Sequence, residues 1–597
     1  MGIDVDDKLN RLQEQGLLSP LNVYFGRFMM DLCEAPILEV GLAAALVSRR
    51  TEEGHVCLDL GRVAEIVIEG SAADGEDFHF PEPESWAEML LASGVVGRPG
   101  EFKPMILDAQ GRLYLYRYWA YQDRLVCAIR ERVTNDPEVD LRLLEAGLKR
   151  FFPGQGPDRQ RMAAFMALKK RVAVISGGPG TGKTTTVARI LALFLAQDMR
   201  NSPRIALAAP TGKAAARMAA AVRASKARLD CAESVKARVP ETASTLHRLM
   251  GTIPGSPYFR HHAKNPLPVD FLVVDEASMI DLALMSKVVQ ALPPHARIML
   301  LGDKDQLASV EAGAVFGDIC ETARMTAGAS GMDTDEPEPE ADDWIIQLTR
   351  NYRFGEKSGI GTLSRAVRDG DLNAATAVIR RGSFGDVTHM DVGGIDGLIG
   401  ALRRRVKAYF GHYFKTLDED ALGRFDRFRI LCALREGPYG ALAVNDAVEQ
   451  LLVLEGLIDP GTPWYPGRPV MITRNDYHLR LFNGDVGMML PDPAGDGVKA
   501  VFQGEDGALR WIHPLRLPPH ETVYAMTVHK SQGSEFDRVL FILPDRDAPV
   551  LSRELVYTAI TRARRHLDMV GPEAVFKTAL LRRIERTSGL RDALLNP

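Results

Sequence analysis

The residues with the most specific chemical pattern lie between 172 and 197. An apolar run at 172–175 leads into a glycine-rich turn, and apolar residues at helical spacing follow. Glycines allow backbone N–H groups to curl around a polyphosphate, and the following helix directs its positive end at the anion. In this pattern Lys183 reaches the β- and γ-phosphates, and the Thr184 hydroxyl binds Mg²⁺. The predicted nucleoside triphosphate loop comprises Gly177, Gly178, Pro179, Gly180, Thr181, Gly182, Lys183, Thr184 and Thr185.

Polar residues follow two later apolar runs. Asp275 and Glu276 come directly after 271–274 and fit a Walker-B pair, in which the aspartate holds Mg²⁺ and the glutamate polarises the attacking water. Adjacent acids at a strand end also cap helices, so the assignment depends on the P-loop that precedes them. Gln306 follows the run 296–301, where a glutamine can touch the γ-phosphate; a polar loop is the alternative.

Two arginines are candidates for the cation that stabilises transition-state charge. Arg353 lies in Asn351-Tyr352-Arg353, and Arg562 lies within 557–564. A single arginine is most often a solvated surface residue, so the surrounding sequence supports both assignments. We expect both arginines to come from a second α/β unit and to face the phosphate loop across a cleft.

The elements that position these residues alternate between short apolar strands and helices, which predicts an α/β fold with parallel sheets covered on both faces. The polar residues gather just beyond the strand ends, where open sheets bind ligands. A second α/β unit is expected from the strand at 344–348 onward. Within it, residues 461–518 change to short strands separated by turns, a pattern typical of a small β-barrel.

Residues 1–152 carry no catalytic signature. Helices are expected at 25–30 and 36–47, and strands at 56–60, 63–68 and 113–118. The aromatic residues at 114–121 are more typical of a core or a protein interface than of base stacking. Residues 322–343 are small and acidic, which predicts a mobile surface insertion.

The composition narrows the class of protein. The 597 residues are too many for one core, so three or four domains are expected. A net charge of −5 means that a nucleic-acid site must be a local basic groove or be completed by a partner. The six cysteines lie far apart without a CxxC pair, which supports neither zinc nor an iron–sulfur cluster. We expect a cytoplasmic protein with no membrane partner, since no signal peptide or membrane-length apolar run is present.

A series of segments, in order, resembles the motifs of superfamily-one helicases. It begins at Gln160 and the P-loop and continues through 209–215, 245–247, 275–278, 302–307, 348–353, 527–536 and 556–564. The forms Pro-Thr-Gly-Lys-Ala-Ala and His-Lys-Ser-Gln-Gly-Ser-Glu-Phe are similar to those of the RecD family, the 5′→3′ motors of bacterial RecBCD complexes (exodeoxyribonuclease V). Tyr24, Phe25 and residues 54–60 also resemble the RecD docking domain.

The resemblance implies roles for further residues. Gln160 is expected to read the adenine edge, which favours ATP, and Gln306, Arg353 and Arg562 are expected to sense and clamp the γ-phosphate. The implied single-stranded DNA path has groups suited to phosphate and sugar contacts. Its residues are Pro210, Thr211, Gly212, Lys213, Thr245, His247, Thr527, His529 and Lys530.

The resemblance also implies a domain plan and an activity. The plan has a partner-docking α/β domain at 1–152, a RecA-like motor domain at 153–345 with a small insertion near 250–268, a second RecA-like domain at 346–460 and 519–597, and an SH3-like β-barrel at 461–518. The implied activity is ATP- and Mg²⁺-dependent 5′→3′ translocation on single-stranded DNA and unwinding of duplex ends, in double-strand-break repair and recombination. RecB- and RecC-like subunits are the implied partners in a heterotrimer, and any nuclease site is expected on a partner. A stand-alone helicase and a structural subunit with a vestigial ATPase are the alternatives.

Overall fold

The structure, a computed structural model, describes residues 5–34, 37–63, 80–153, 158–197, 202–329, 344–355, 357–382, 384–459, 461–495, 497–504 and 507–595. Strands of this described chain form four sheets, of which two are wholly parallel. The α/β fold class with parallel sheets is confirmed. None of the described helices is long and apolar enough to span a membrane.

The N-terminal residues surround a four-stranded sheet of order β1-β4-β3-β2. Its elements are α1 (Val5–Glu14), α2 (Pro20–Asp31), α3 (Leu38–Glu52), β1 (Leu58–Asp59), α4 (Pro83–Ala92), β2 (Val96–Gly97), β3 (Met105–Leu107), β4 (Arg112–Leu115), α5 (Tyr116–Thr134) and α6 (Leu141–Phe151). Both predicted helices are present. The strand predicted at 113–118 ends early because α5 begins at Tyr116, only Leu58–Asp59 of 56–60 is a strand, and 64–68 lies outside the described residues.

The first parallel sheet has the order β10-β5-β9-β8-β6-β7. Its elements are α7 (Arg159–Lys169), β5 (Val172–Gly177), α8 (Lys183–Gln197), β6 (Ile205–Ala209), α9 (Gly212–Lys226), α10 (Glu233–Arg238), β7 (Ser244–Thr245), α11 (Leu246–Met250), β8 (Phe271–Val274), α12 (Leu282–Gln290), β9 (Arg297–Gly302), α13 (Val315–Ala329) and β10 (Ile345–Leu348). Alternate residues of β5 enter two different cores, with Val172 and Val174 on one face and Ala173 and Ile175 on the other. Burial on both faces explains why these strands are continuously apolar.

The strand at 344–348 was assigned to the wrong unit. β10 pairs in parallel with β5, with Ile345 opposite Val174 and Leu348 opposite Gly177. The first sheet therefore extends through Leu348, beyond the expected boundary at 345, because this strand fills the edge next to the phosphate loop. In the acidic segment, residues 322–329 are helical within α13, and 330–343 lie outside the described residues. The insertion near 250–268 contains two isolated bridges, Thr252 with Phe259 and His262 with Asn265.

The second parallel sheet has the order β11-β20-β19-β12-β18, and an antiparallel sheet of order β16-β15-β14-β13-β17 is inserted into it. The elements before and within the insertion are α14 (Gly359–Asp369), α15 (Leu372–Arg381), β11 (Val387–Met390), α16 (Gly394–Arg405), α17 (Gly411–Tyr413), α18 (Ala421–Phe425), β12 (Phe428–Cys432), α19 (Ala441–Leu454), β13 (Pro469–Ile472), β14 (Val486–Pro491), β15 (Val498–Gln503), β16 (Leu509–Ile512) and β17 (His520–Thr522). The chain then returns with β18 (Ala525–Thr527), β19 (Phe536–Ile542), α20 (Arg553–Thr561), β20 (Ala563–Val570) and α21 (Glu573–Leu581). The insertion ends at Thr522 rather than 518, because Thr522 pairs with Val470 of β13.

The last described residues leave the second unit and pack on the first. The Val56 amide donates to the Thr587 carbonyl at 2.9 Å, and Leu590 in α22 (Leu590–Leu595) is buried in the core of the first sheet. Arg112 forms an ion pair with Asp592 at 2.5 Å. Placing all of 519–597 in the second motor domain was therefore wrong for the segment after Glu585, whose apolar and charged partners lie in the N-terminal part and the first unit.

Candidate active site and nucleic-acid path

The phosphate loop has the backbone shape that the glycine pattern predicts. Gly180 and Gly182 have φ values of +84° and +82°, a region that residues with a Cβ rarely adopt. Lys183 donates to the carbonyls of Gly177 and Gly178, the latter at 3.2 Å. Gln160, the residue expected to read the adenine edge, donates from Nε2 to the Thr181 carbonyl at 3.0 Å and so lies against the phosphate loop.

Asp275 and Glu276 lie at the carboxyl end of β8, on the same edge of the sheet as the loop. Burial, reinforced by the Glu276 charge, raises the pKa of Asp275 to about 6. Glu276 has φ 53° and ψ 40°, a costly conformation for a non-glycine residue that places strain at this position. A half-buried pair of adjacent carboxylates fits a divalent cation, whose charge would relieve their mutual repulsion.

Gln306 and Arg562 connect the two parallel sheets. Arg562, at the end of α20, is 1% exposed and donates from Nη2 to Gln306 Oε1 at 2.7 Å. Gln306 in turn donates to Asp303 Oδ2 at 2.8 Å, which also accepts from the Tyr557 hydroxyl at 3.2 Å. The loop after β9 is thus bonded directly to α20, so Gln306 and Arg562 lie together where the two units meet.

Arg353 lies on the first unit and not on the second, contrary to the expectation. It follows β10 by five positions, and its neighbours bind the phosphate loop. Asn351 donates to the Pro179 carbonyl at 2.9 Å, and the Tyr352 amide donates to the Gly180 carbonyl at 2.8 Å. A Cβ on Gly180 would stand 2.5 Å from the Cβ of Arg353, so this arginine directly flanks the loop.

Glu535 and Arg217 belong to the site but were given no role from the sequence. Glu535 precedes β19, is buried, and pairs with Arg217, with Arg353 at 2.8 Å and with Arg564 at 3.1 Å. Burial raises the pKa of Glu535, but the guanidinium groups of Arg217, Arg353 and Arg562 outweigh burial and lower it to about 2. The signal for Glu535 was its place in the motif at 529–536; Arg217 had only its position one turn beyond Lys213.

The residues expected on the DNA path lie at the carboxyl ends of strands in both units. Ala209 of β6 and Thr245 of β7 are parallel partners, which places Pro210 and Thr245 side by side. The Thr211 hydroxyl accepts from the Ala214 amide at 3.2 Å, which caps α9, and Gly212 is the first residue of that helix. Lys213 extends over the Phe536 ring of the second unit, with 5.4 Å from Nζ to the centroid. The His247 ring packs against Phe259, with 5.6 Å between centroids.

The second group follows β18. The Thr527 hydroxyl accepts from the Lys530 amide at 3.3 Å, and Lys530 Nζ donates to Glu521 at 2.5 Å. Burial, aided by the Arg586 charge, lowers the pKa of His529 and favours its neutral form. A Cβ on Gly533 would lie 3.2 Å from the Ala214 Cβ, so the turn after Thr527 packs on the first turn of α9. The structure therefore brings the two groups of expected DNA contacts together.

Comparisons with known proteins place this arrangement in a family. The N-terminal domain of the RecBCD enzyme subunit RecD matches residues 14–114, an AAA domain matches 160–312, and the UvrD-like helicase C-terminal domain matches 522–570. The chain is 40% identical to the RecBCD enzyme subunit RecD of Mycobacterium tuberculosis (strain H37Rv), over 99% of this chain and 97% of that one. It is 33% identical to the RecBCD enzyme subunit RecD of Haemophilus influenzae, over 98% of each. A solved structure of two coordinating Pif1 helicases on forked duplex DNA has 16% identity and a TM-score of 0.38, over 71% of this chain and 94% of that one. On the strength of the sequence relatives, this protein belongs to the RecD family of ATP-dependent DNA helicases, the family of the RecBCD enzyme subunit RecD.

Proposed function

We propose that this chain is the ATP-driven 5′→3′ translocase and helicase subunit of a RecBCD-type helicase–nuclease that acts on duplex ends in double-strand-break repair and recombination. The observation that carries the proposal is the contact of Arg562 with Gln306 at 2.7 Å, because it joins the two parallel sheets directly beside the phosphate loop. A site divided between two units converts nucleotide binding and loss into relative motion of those units.

The residues of the site divide the work of hydrolysis. Lys183 exchanges the loop carbonyls for the β- and γ-phosphates of ATP, and Glu276 accepts the proton of the attacking water. Arg353 and Arg562 donate to the γ-phosphate oxygens from opposite sides of the cleft, and Gln306, bonded to Arg562, contacts the same phosphate. Mg²⁺, held by Thr184 and Asp275, would neutralise phosphate charge. Among the described residues no cluster of three His, Cys, Asp or Glu side chains forms a metal cage, which suits an ion held largely by the nucleotide.

We propose that single-stranded DNA lies across the carboxyl edges of both sheets, against Pro210–Lys213, Thr245 and His247 on one unit and Thr527, His529 and Lys530 on the other. Their hydroxyl, amide and cationic groups suit phosphate and sugar contacts without base choice. The domain plan follows the sheets: docking domain to 152, motor domains at 153–353 and at 354–460 with 523–585, and the antiparallel sheet as a small SH3-like barrel at 461–522.

RecB- and RecC-like subunits are the proposed partners, and the surface of α2 supports their docking. Leu21, Tyr24, Phe28 and Leu32 recur at helical spacing on its outer face and are 63%, 69%, 48% and 50% exposed. The opposite face of α2 is already buried against α3. A contiguous stripe of large apolar side chains is typical of a protein interface. The variant with Tyr24→Asp and Phe28→Asp should lose co-elution with the partner subunits, whereas Tyr477→Asp, on a 60% exposed tyrosine between β13 and β14, should keep it.

The test of the activity is Lys183→Ala. This variant should lose ATP hydrolysis and DNA unwinding without a change in Tm, whereas Lys149→Ala, on the exposed face of α6, should retain both. If the Lys183→Ala variant hydrolyses ATP at the wild-type rate in the presence of DNA, the site is assigned wrongly.

Substrates with a 5′ or a 3′ single-stranded tail test polarity, and only the 5′-tailed substrate should be unwound. Stimulation of the isolated chain's ATPase by DNA excludes a vestigial site.

A further inference from the structure

The buried Glu535 carboxylate is the centre of an ion-pair cluster that crosses the cleft. Its side chain is 2% exposed, and Arg353 Nη2 donates to both of its oxygens at 2.8 Å. Arg217 reaches it from α9 of the first unit, and Arg564 reaches it from β20 of the second. One carboxylate is therefore shared by three guanidinium groups, so the cluster keeps an excess of positive charge beside the phosphate loop that Arg353 flanks.

The same cluster contains polar atoms that have no acceptor within the described residues. Arg353 Nη1 is buried without a hydrogen-bond partner, and so is the Ser534 hydroxyl next to Glu535. Leaving a buried donor unpaired is costly, and in native proteins such donors are usually satisfied by a ligand or water. The unpaired Nη1 of Arg353 is available to a phosphate oxygen, and a phosphate bound there competes with Glu535 for the rest of the guanidinium group.

We propose that Glu535 is a resting counter-ion for Arg353, which a γ-phosphate must displace, and that it thereby sets the preference between ATP and ADP. This inference rests on the proposed function. ATP presents three γ-phosphate oxygens that compete with the carboxylate for the guanidinium, whereas ADP lacks them and leaves the pair of Glu535 and Arg353 intact. After phosphate leaves, the carboxylate recovers Arg353, so the arginine does not remain an unpaired buried charge. Glu535 is a positioning residue here, because it acts through Arg353.

The test is nucleotide binding by calorimetry with Glu535→Gln, using a non-hydrolysable ATP analogue and ADP in excess Mg²⁺. Removing the competing charge should tighten the analogue by about tenfold, as expected for loss of one close charge pair, and leave ADP within about twofold. The matched control is Glu573→Gln, since Glu573 also pairs with two cations, Arg380 at 2.6 Å and Lys577 at 2.7 Å, on a helix away from the cleft. That control should change neither affinity.

A double-mutant cycle separates a role through Arg353 from a general effect on folding. In an Arg353→Ala background, Glu535→Gln should no longer alter the ratio of analogue to ADP affinity.

The variant Arg564→Gln is a second test that keeps Glu535 in place. With one partner fewer, the carboxylate holds Arg353 more strongly, so the analogue should bind about threefold more weakly and ADP should be unaffected.

Equal weakening of analogue and ADP by Glu535→Gln, or an unchanged ratio, would overturn the inference. An unchanged ratio in Arg564→Gln would do the same if Glu535→Gln does not fold. Both outcomes would leave the proposed function intact, provided that the wild-type protein binds the ATP analogue and the Lys183→Ala variant does not. Failure of the wild type to bind ATP would instead overturn the proposed function itself.

Discussion

Replacing Arg562 with lysine tests the role of the second-unit arginine most directly. The guanidinium donates from Nε to the Thr558 carbonyl at 3.2 Å, from Nη1 to the Ser534 carbonyl at 3.0 Å and from Nη2 to Gln306 at 2.7 Å. These three bonds fix the plane of the guanidinium group. Lysine keeps the positive charge but has a single, flexible ammonium group that cannot make the same fork of contacts.

The expected size of the effect follows from these contacts. An arginine that stabilises phosphoryl-transfer charge contributes about 10³–10⁵ to the rate, and the charge that lysine retains places this variant at the lower end. We therefore expect kcat to fall by about 10³, equivalent to about 4 kcal/mol of transition-state stabilisation. KM should change by less than about threefold, because Lys183 and the loop amides still bind the phosphates. Loss of buried hydrogen bonds should lower the free energy of unfolding by about 1–3 kcal/mol.

The assay is steady-state phosphate release with saturating single-stranded DNA, together with urea unfolding of the same preparations. Arg565→Lys is the matched control, because Arg565 is only three residues further along the chain, 78% exposed and 3.9 Å from its partner Asp537. Its kcat should stay within about twofold of wild type, since exposed ion pairs contribute little. A well-folded Arg562→Lys protein whose kcat is within tenfold of wild type would refute the assignment of Arg562 as a charge-stabilising residue.

Three further changes test the loop, a buried acid and the C-terminal segment. Gly180→Ala should weaken binding of an ATP analogue at least about tenfold by calorimetry, because the new Cβ meets Arg353, while Gly94→Ala, with a similar φ of +80° and no atom within 4 Å, should not. Burial raises the pKa of Asp318 to about 7, so the native state loses stability as pH rises through 7. Asp318→Asn should therefore raise the free energy of unfolding by about 2–4 kcal/mol at pH 8 and by less at pH 5. Urea titrations at the two pH values measure the difference. Ending the chain after Glu585 should lower Tm by about 3–5 °C in scanning calorimetry, since it removes buried Leu590.

Much of the parallel-sheet architecture and the phosphate loop could be predicted because their signals are local. The run at 172–175 is apolar on both faces of a strand, and the glycines that follow have positive φ where the loop turns. Asp275 and Gln306 are predicted from the same kind of signal, since Asp275 directly follows the buried strand β8 and Gln306 lies in the loop four residues after the buried strand β9. The carboxyl ends of parallel strands meet at one edge, so residues distant in sequence are expected to lie close together, as Gln306 and Arg562 do.

The wrong predictions concern which element a segment forms and which sheet a strand joins, and both depend on tertiary contacts that a short sequence segment does not contain. Tyr114, Tyr116 and Tyr118 alternate as in a strand, but Tyr118, Leu125 and Ile129 are buried at helical spacing in α5, so packing against the first unit decides the element. The strand at 344–348 has the pattern of any buried strand, and only its pairing with β5 shows which sheet it joins. Arg353 was placed on the wrong unit as a consequence.

Glu535 and Arg217 could not be assigned a role from the sequence for a different reason. Their role depends on a contact between two residues that are 318 positions apart. α9 begins among the proposed DNA contacts, with Thr211 as its cap, and carries Arg217 further along. Arg217 pairs with Glu535, and its Nη1 lies 4.0 Å from Glu276 Oε1. Because a short helix moves as a rigid rod, a DNA strand that displaces the first turn of α9 also displaces the charge beside Glu276. The residues proposed for hydrolysis and those proposed for DNA binding therefore share one structural element, which would give DNA-stimulated hydrolysis a physical basis that the spacing between motifs does not contain.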